Sequence, residues 1–335
     1  MGLQIGEIVP RKEITLESLK GKTIAIDAYN VIYQFLSSVR QADGTPLMDK
    51  EGRITSHLSG LFYRNISLLS EGIKLIYVFD GESPALKGKT LEKRKESKEI
   101  AMDRYESAVL KGDFVEAGKY AKQTVRIEEG MIEESMELLE AMGIAVYQAA
   151  GEGEMQCAEL VKRGDAYAVG SQDYDALVVG GNRLIQNLTL ARKRKTRGGV
   201  VDINPEMIEY ERVLNHLDIN ADQLICLAIL VGSDFNPKGI SGLGPKKSLA
   251  LVKQKKYPVE IFKEVEEKLD FNWQEVFEIF KKPNVSKDGI KFPKINEEKI
   301  KKILVEMHDF SLERVEKQLE KLVIGKKKGM QRTLF

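Results

Sequence analysis

Short apolar runs rich in β-branched residues recur along the chain, KTIAID at 22–27, KLIYVFD at 74–80, GIAVYQAA at 143–150, AYAVGSQD at 166–173 and RLIQNL at 183–188. Each predicts a buried strand. Between them the apolar positions fall at helical spacing, in NVIYQFLSSV after Asp27, in SHLSGLFYRNISLLSEG before the second strand and in EEGMIEESMELLEAMG before the third, with Gly143 as a C-terminal stop. Strands alternating with helices predict an α/β fold, a twisted and largely parallel sheet covered by helices on both faces. From 87 to 124 the pattern changes to helix formers and charge with few large apolar residues, which predicts two helices joined near Lys111, Gly112 and Asp113 and standing off the sheet. After Pro205 the chain becomes helical, PEMIEYERVLNHL and then NADQLICLAILVG, and continues so to about 324. The organisation expected is a core over 1–218 interrupted by the charged helices at about 87–124, a helical region over 219–324, and a basic tail over 325–335.

A length of 335 residues with 42% hydrophobic content allows a large core. No run of about eighteen apolar residues exists to span a membrane, and MGLQIGEIVPRKE lacks the apolar stretch of a signal peptide. Cys157 and Cys226 offer neither a disulfide framework nor metal-ligand spacing, which fits a reducing, intracellular and cytoplasmic setting. The balance of 52 basic against 51 acidic residues says little, but the distribution is segregated. Lys87, Lys89, Lys93, Arg94, Lys95 and Lys98 crowd one segment, RKRKTR fills 192–197, and Lys326 to Lys328 open the tail.

The acids fall where an open parallel sheet binds ligands, beyond the carboxyl ends of its strands. Asp27 ends TIAID, Asp80 ends LIYVFD, Glu152 and Glu154 follow AVYQAA, Asp173 and Asp175 follow AYAVGSQ, and Asp234 follows LICLAILVGS. In extended structure residues two apart face the same way, so both pairs are expected to point at one place. Singly, an acid at a strand end serves more often as a helix cap or turn former. Caps have no reason to recur at the same end of successive strands in pairs. Converging carboxylates repel unless a cation lies between them, and a set of oxygen ligands without His or Cys favours Mg²⁺ or Mn²⁺ over zinc. Two Mg²⁺ ions are the common device for phosphodiester hydrolysis.

A second signal lies in GSDFNPKGISGLGPKKSLALV at 232–252. Gly242 and Gly244, followed by Pro245, Lys246 and Lys247, form the hairpin pattern of a helix-hairpin-helix element, in which backbone N–H groups approach a DNA phosphate at a helix N-terminus. Such contact grips DNA without reading its sequence. Lys87 and Arg94 are seven apart on a helical segment and so share a face, suited either to the phosphate next to the acids or to solvent alone. Tyr33, six residues past Asp27, suits either base stacking or the core. RKRKTRGG, with Arg192 and Lys193, predicts a hairpin rim that meets phosphate or is only solvated.

Together these motifs resemble the flap endonucleases, the structure-specific 5′ nucleases of replication and repair, and the chain is similar to their archaeal branch. The resemblance runs over nearly the whole length and rests on IAIDAYNVIYQFL, YVFDG, GEGEMQCAEL, VGSQDYDALVVG and LVGSDFNPKGISGLGPKKS in fixed order. It implies a PIN-like nuclease core with Asp27, Asp80, Glu152, Glu154, Asp173, Asp175 and Asp234 as the metal-binding carboxylates. It also implies that Lys87 and Arg94 engage the scissile phosphate, with Lys93 beside them, that Tyr33 stacks on a base, and that Gly2 belongs to a buried N-terminus near the site. The charged helices at 87–124 become an arch for the unpaired 5′ strand, ordered by the correct substrate. Two Mg²⁺ ions, with Mn²⁺ as a substitute, a branched DNA with a 5′ flap, and a monomer complete the expectation. The tail KKKGMQRTLF resembles the start of a sliding-clamp-binding motif, with Gln331 and Leu334 in place and Phe335 where an aromatic pair is usual.

Two other classes compete. A PIN-type RNase shares the sheet and the acids but lacks the helix-hairpin-helix and the arch. A non-catalytic DNA-binding or clamp-adaptor protein keeps the basic elements and has no use for seven converging acids.

Overall fold

Every strand expected from the apolar runs forms, each shorter than its run. The computed structural model describes the chain except residues 1–2, 42–43, 83–87, 112, 114–115, 117–119, 121–123, 191–192, 197–198 and 331–335, and leaves undescribed the side chains at 88–95, 106, 109, 193–196, 200 and 323–330. A short β1, Lys12–Glu13, precedes β2 Thr23–Asp27, β3 Lys74–Phe79, β4 Ala145–Gln148, β5 Ala168–Gly170 and β6 Arg183–Gln186. The hairpin expected around RKRKTRGG is present as a ladder of its own, with β7 Lys193–Thr196 antiparallel to β8 Gly199–Asp202. The last strand, β9 Glu206–Glu209, lies where a helix is expected. Its Glu and Met favour helix, but pairing with β6 on one side and β1 on the other buries Ile208 completely, and tertiary pairing overrides propensity.

The main sheet has the order β1-β9-β6-β5-β2-β3-β4, parallel from β6 through β4 and antiparallel at β9 and β1. From β2 the chain builds outward through β3 and β4, then returns to place β5 and β6 on the other side of β2. The switch point of the sheet therefore lies between β2 and β5, which pair in parallel register from Ile24 with Ala168 to Ile26 with Gly170. A crevice opens beyond strand ends at such a point.

Side chains alternate between two cores, as the pleat requires. Ile24, Ile26, Leu75, Tyr77, Phe79 and Ile185 face one side; Ala25, Ile76, Val78, Val169 and Leu184 face the other. Tyr77 is fully buried and its hydroxyl donates to Asn65 Oδ1 at 2.8 Å, so its polar end is satisfied inside the core. The first core is closed by α1 Ala28–Ser38 and α2 Ser56–Ser70, by α4 Met131–Ala141 after the long α3 Gly88–Leu110, and by two C-terminal helices. The second is closed by α5 Gly153–Lys162, α6 Asp175–Val178, α7 Tyr210–Leu217, α8 Ala221–Val231, α9 Pro245–Lys255, α10 Pro258–Lys263 and α11 Trp273–Lys281. The C-terminal pair is α12 Glu297–Lys301, continued by a π-helical turn at Lys302–Met307, and α13 Leu312–Met330. α13 thus continues beyond 324, where helical structure was expected to end.

α3 forms where the first of the two charged helices is expected, with a turn at Lys111 after it; the second falls largely on residues outside the description. Ile100 and Leu110 are exposed on α3 while Ala101 and Ala108 are buried, so little apolar surface holds it. No single helix among the described residues is long and apolar enough to cross a membrane.

Candidate functional site

Asp27 is the last residue of β2 and the N-cap of α1, where its Oδ1 accepts the Asn30 N–H at 3.1 Å. Asp80 follows β3, and its Oδ1 accepts the Gly153 N–H at 2.7 Å. A Cβ on Gly153 would stand 2.7 Å from that same oxygen, so the glycine between Glu152 and Glu154 lets the acidic loop close on Asp80. Gln148 Nε2 also donates to the Asp80 carbonyl at 2.6 Å. Across the switch point, Asp173 Oδ2 accepts from Asn30 Nδ2 at 2.8 Å while its N–H donates to Ser171 Oγ at 3.1 Å.

The two acid pairs converge for a different reason from the one expected. They do not sit on extended strands. Glu152 is the N-cap of α5 with Glu154 in its first turn, and Asp175 opens α6 behind Asp173. Helix N-termini favour negative charge, so these positions suit the acids electrostatically as well as aiming them.

The acids feel one another. The Asp27 carboxyl is pushed up to about 8 by burial and then by the charge of Asp80, with Asp173 and Glu152 adding and the Asn30 N–H opposing. Glu154 is held well above the usual carboxylate range by burial, then by Asp175, Asp173 and Asp27, against a backbone N–H from Ala176. Cys157, fully buried behind them, is pushed up by burial and by Asp27, Glu154 and Asp80, which makes it an inert thiol. Six of the seven expected acids thus share one field across β2, β3, β4 and β5. Asp234 lies in the turn after α8, which packs on α6; the turn is set by Asn236, whose Oδ1 accepts from Ser233 Oγ at 2.7 Å and whose Nδ2 donates to the Ile229 carbonyl at 2.6 Å.

The donor set fits hard divalent cations. It is all oxygen, it is anionic, and Glu154 Oε1 is buried and accepts no hydrogen bond. Among the described residues no three of these acids stand close enough to a common point to hold an ion as they are. Carboxylates gathered this way repel, and a cation reverses that sign.

Tyr33 is 38% exposed on α1, and Lys98 of α3 lies over its ring, Nζ 4.9 Å from the centroid. One face of the ring is therefore covered by a cation from the charged helix. Arg94 and Lys93 lie on α3 and Lys193 on β7, with side chains outside the description. Gly2, Lys87, Arg192, Gln331, Leu334 and Phe335 lie outside the described residues.

A glycine-containing turn joins α8 to α9. Gly242 takes φ +83° and Gly244 is the N-cap of α9 with Pro245 in its first turn. An added Cβ on either glycine meets nothing within 4 Å, so the pair leaves open space at a helix N-terminus, lined also by Lys238, Ser241, Lys246 and Lys247. Glu7 Oε2 pairs with Lys246 Nζ across it at 3.3 Å, both side chains exposed.

Sequence reasoning missed the residues that hold the acids in place. Asn30 bridges Asp27 and Asp173, and Gln156 of α5 exchanges hydrogen bonds with the Ser286 backbone, Nε2 to the carbonyl at 2.9 Å and Oε1 from the N–H at 2.6 Å. Asn30, in DAYN at the third helical position, lies where a side chain can turn back to the cap, and that was its only signal.

Comparison with known proteins agrees with this geometry. The XPG N-terminal domain model matches residues 3–101 and the XPG I-region model residues 143–234. Flap endonuclease 1 of Pyrococcus abyssi is 51% identical over 337 residues, spanning 100% of this chain and 97% of its own. Flap endonuclease 1 of Pyrococcus furiosus is likewise 51% identical, over 100% of this chain and 98% of its own. The solved structure of flap endonuclease-1 from Methanococcus jannaschii superposes with a TM-score of 0.76 at 42% identity, covering 96% of this chain and 98% of that one. With the acids gathered at the sheet's switch point and full-length identity of this order, the chain belongs to the flap endonuclease family, in its archaeal branch.

Proposed function

We propose that this protein is a structure-specific 5′ flap endonuclease with 5′ to 3′ exonuclease activity, hydrolysing DNA phosphodiesters at the base of 5′ flaps in Okazaki fragment processing and repair. The observation that carries the reading is the field shared by Asp27, Asp80, Glu152, Glu154, Asp173 and Asp175 across the switch point. With Asp234 these residues would hold two Mg²⁺ ions, Mn²⁺ substituting. Bound there, such ions supply an activated water and stabilise the charge that builds on the phosphate.

The chain's own groups position the DNA. Lys87 and Arg94 would engage the scissile phosphate and Tyr33 a flanking base, with Lys93 and Gly2 nearby. The open N-terminus of α9, with Gly242, Gly244, Lys246 and Lys247, suits backbone phosphates of the duplex, and Arg192 and Lys193 suit a second strand. Specificity then follows from DNA shape at a junction, because these are phosphate contacts. The charged helices at 87–124 act as the arch, the region from 219 grips duplex, and the tail from 325 binds a sliding clamp through Gln331, Leu334 and Phe335. The protein acts as a monomer.

Single-turnover cleavage of an end-labelled duplex with a 5′ flap, in Mg²⁺ or in EDTA, tests the reading against a matched single strand and a hairpin RNA. Metal-dependent cutting at the flap base alone is expected. Asp175→Ala should abolish it while flap binding persists. Tight binding by the unaltered protein without cleavage would favour a DNA-binding adaptor.

A further inference from the structure

Asn30 touches an acid on each side of the switch point. Its backbone N–H donates to Asp27 Oδ1 at 3.1 Å and its Nδ2 donates to Asp173 Oδ2 at 2.8 Å. Asp27 ends β2 and Asp173 follows β5, the neighbouring strands between which the chain reverses its progress across the sheet. The first-turn N–H groups of a helix lack intrahelical partners, so the bond to Asp27 anchors Asn30 through its own backbone. The amide is left to reach across the crevice. Few side chains suit this place. A lysine or arginine would neutralise the acids and compete with a cation, and a carboxylate would add repulsion. An amide donates a hydrogen bond to Asp173 and leaves the charge of the site unchanged.

A partner of this kind fixes which carboxylate oxygen faces an ion, and loss of such partners typically weakens metal binding about 10–100-fold. We propose that Asn30 is a positioning residue of the metal centre, holding Asp173 in register with Asp27 before a divalent cation arrives, so that metal affinity depends on it more than the chemical step does. The proposal rests on the reading of these acids as metal ligands.

The test uses the full chain as wild type, Asn30→Ala, Asp173→Ala and the double variant. Alanine keeps the backbone N–H to Asp27 and favours helix, so α1 should form, which a thermal melt verifies. Calorimetric titration of the DNA-free proteins with Mn²⁺ should show binding about tenfold weaker in Asn30→Ala. The Mg²⁺ concentration that half-activates single-turnover flap cleavage should rise by about the same factor, with the rate recovered at saturating Mg²⁺. In the Asp173→Ala background the second change should add nothing, because its route is gone. Wild-type titration by Asn30→Ala, where Asp173→Ala loses binding, would overturn the role of Asn30. A lowered saturating rate with an unmoved Mg²⁺ midpoint would overturn it in favour of the chemical step. Unimpaired Mn²⁺ binding by Asp173→Ala would overturn the assignment of the acids instead.

Discussion

Replacing Asp27 by asparagine should make the metal-free protein more stable at neutral pH while ending its metal binding. The Asp27 carboxyl moves from 3.8 to about 8 on folding, burial being the largest cause and Asp80 the next. Between those values the native state holds a proton that the unfolded chain releases. The native state thus binds more protons, and stability falls as pH rises through that window, reaching its full cost above about pH 8. One full proton of difference is worth about 1.4 kcal/mol per pH unit. At about 2.1 cal/mol/K per residue, the 335 residues unfold with an entropy near 0.7 kcal/mol/K, so the slope is about 2 °C of Tm per pH unit. Asparagine keeps an oxygen for the Asn30 N–H and so preserves the cap, but carries no charge. It also removes part of the field on Glu154, so the Tm profile should flatten by more than one group's share. The assay is thermal unfolding in EDTA from pH 6.5 to 8, repeated with Mg²⁺, which should raise the wild-type Tm and leave the variant unmoved. Parallel profiles for the two proteins in EDTA, or a variant less stable than wild type at pH 8, would refute the reasoning.

Below pH 6.5 a different group acts with the opposite sign. His57 is fully buried and drops from 6.5 to about 4 through burial and then the nearby His308, so its own contribution, about 3 kcal/mol, is lost as pH falls through that window and offsets the gain from Asp27; urea unfolding of His57→Leu should therefore show stability rising toward acid where the wild type stays nearly flat. Gly81→Ala places a Cβ 2.2 Å from the Ala149 carbonyl oxygen and 2.7 Å from that of Ala150, backbone atoms that cannot swing aside. It should cost about 1–3 kcal/mol in denaturant unfolding and slow cleavage by shifting Asp80, and an unchanged melt would show that the strand ends tolerate separation. Lys246→Ala and Lys247→Ala should each reduce the slope of log affinity against log salt for duplex binding by about 1, with the cleavage rate at saturating DNA nearly unchanged.

What the chain reveals without its structure follows from period and position. The five apolar runs are strands because β-branched stretches of that length bury on both faces, and the acids at their ends are visible because a parallel sheet puts every carboxyl end on one edge. β9 stayed hidden because Glu206 and Met207 favour helix locally, while the ladder that makes them a strand comes from Arg183–Gln186, some twenty residues earlier. The switch point was hidden for a related reason, since strand order is a property of pairing and not of sequence order. Asn30 and Gln156 carry no pattern of their own. Each matters through one partner, Asp173 or Ser286, far away in sequence.

The acidic loop shows why those distant partners are needed. Glu152 and Glu154 repel Asp27 and one another's neighbours, so the charges of the cluster work against closure of the loop. Closure comes from backbone and strap contacts. The Gly153 N–H binds Asp80 on one side, and on the other an extended strap after α11 lays Asn284 against the Ala150 carbonyl at 3.4 Å and Ser286 against Gln156. A Cβ on Gly151 would come within 3.0 Å of the Asn284 carbonyl, so the strap also needs that glycine. Tyr147 at the edge strand β4 adds hydrogen bonds to Ser286 Oγ and the Asp288 carbonyl, both at 3.2 Å. The strap therefore covers the sheet's open edge and braces the acids in one stroke, which ties the region beyond 219 to the catalytic geometry of the region before it. The two glycines in GEGE are thus the points at which a repelling acid loop is gripped from both sides, by Asp80 and by the strap.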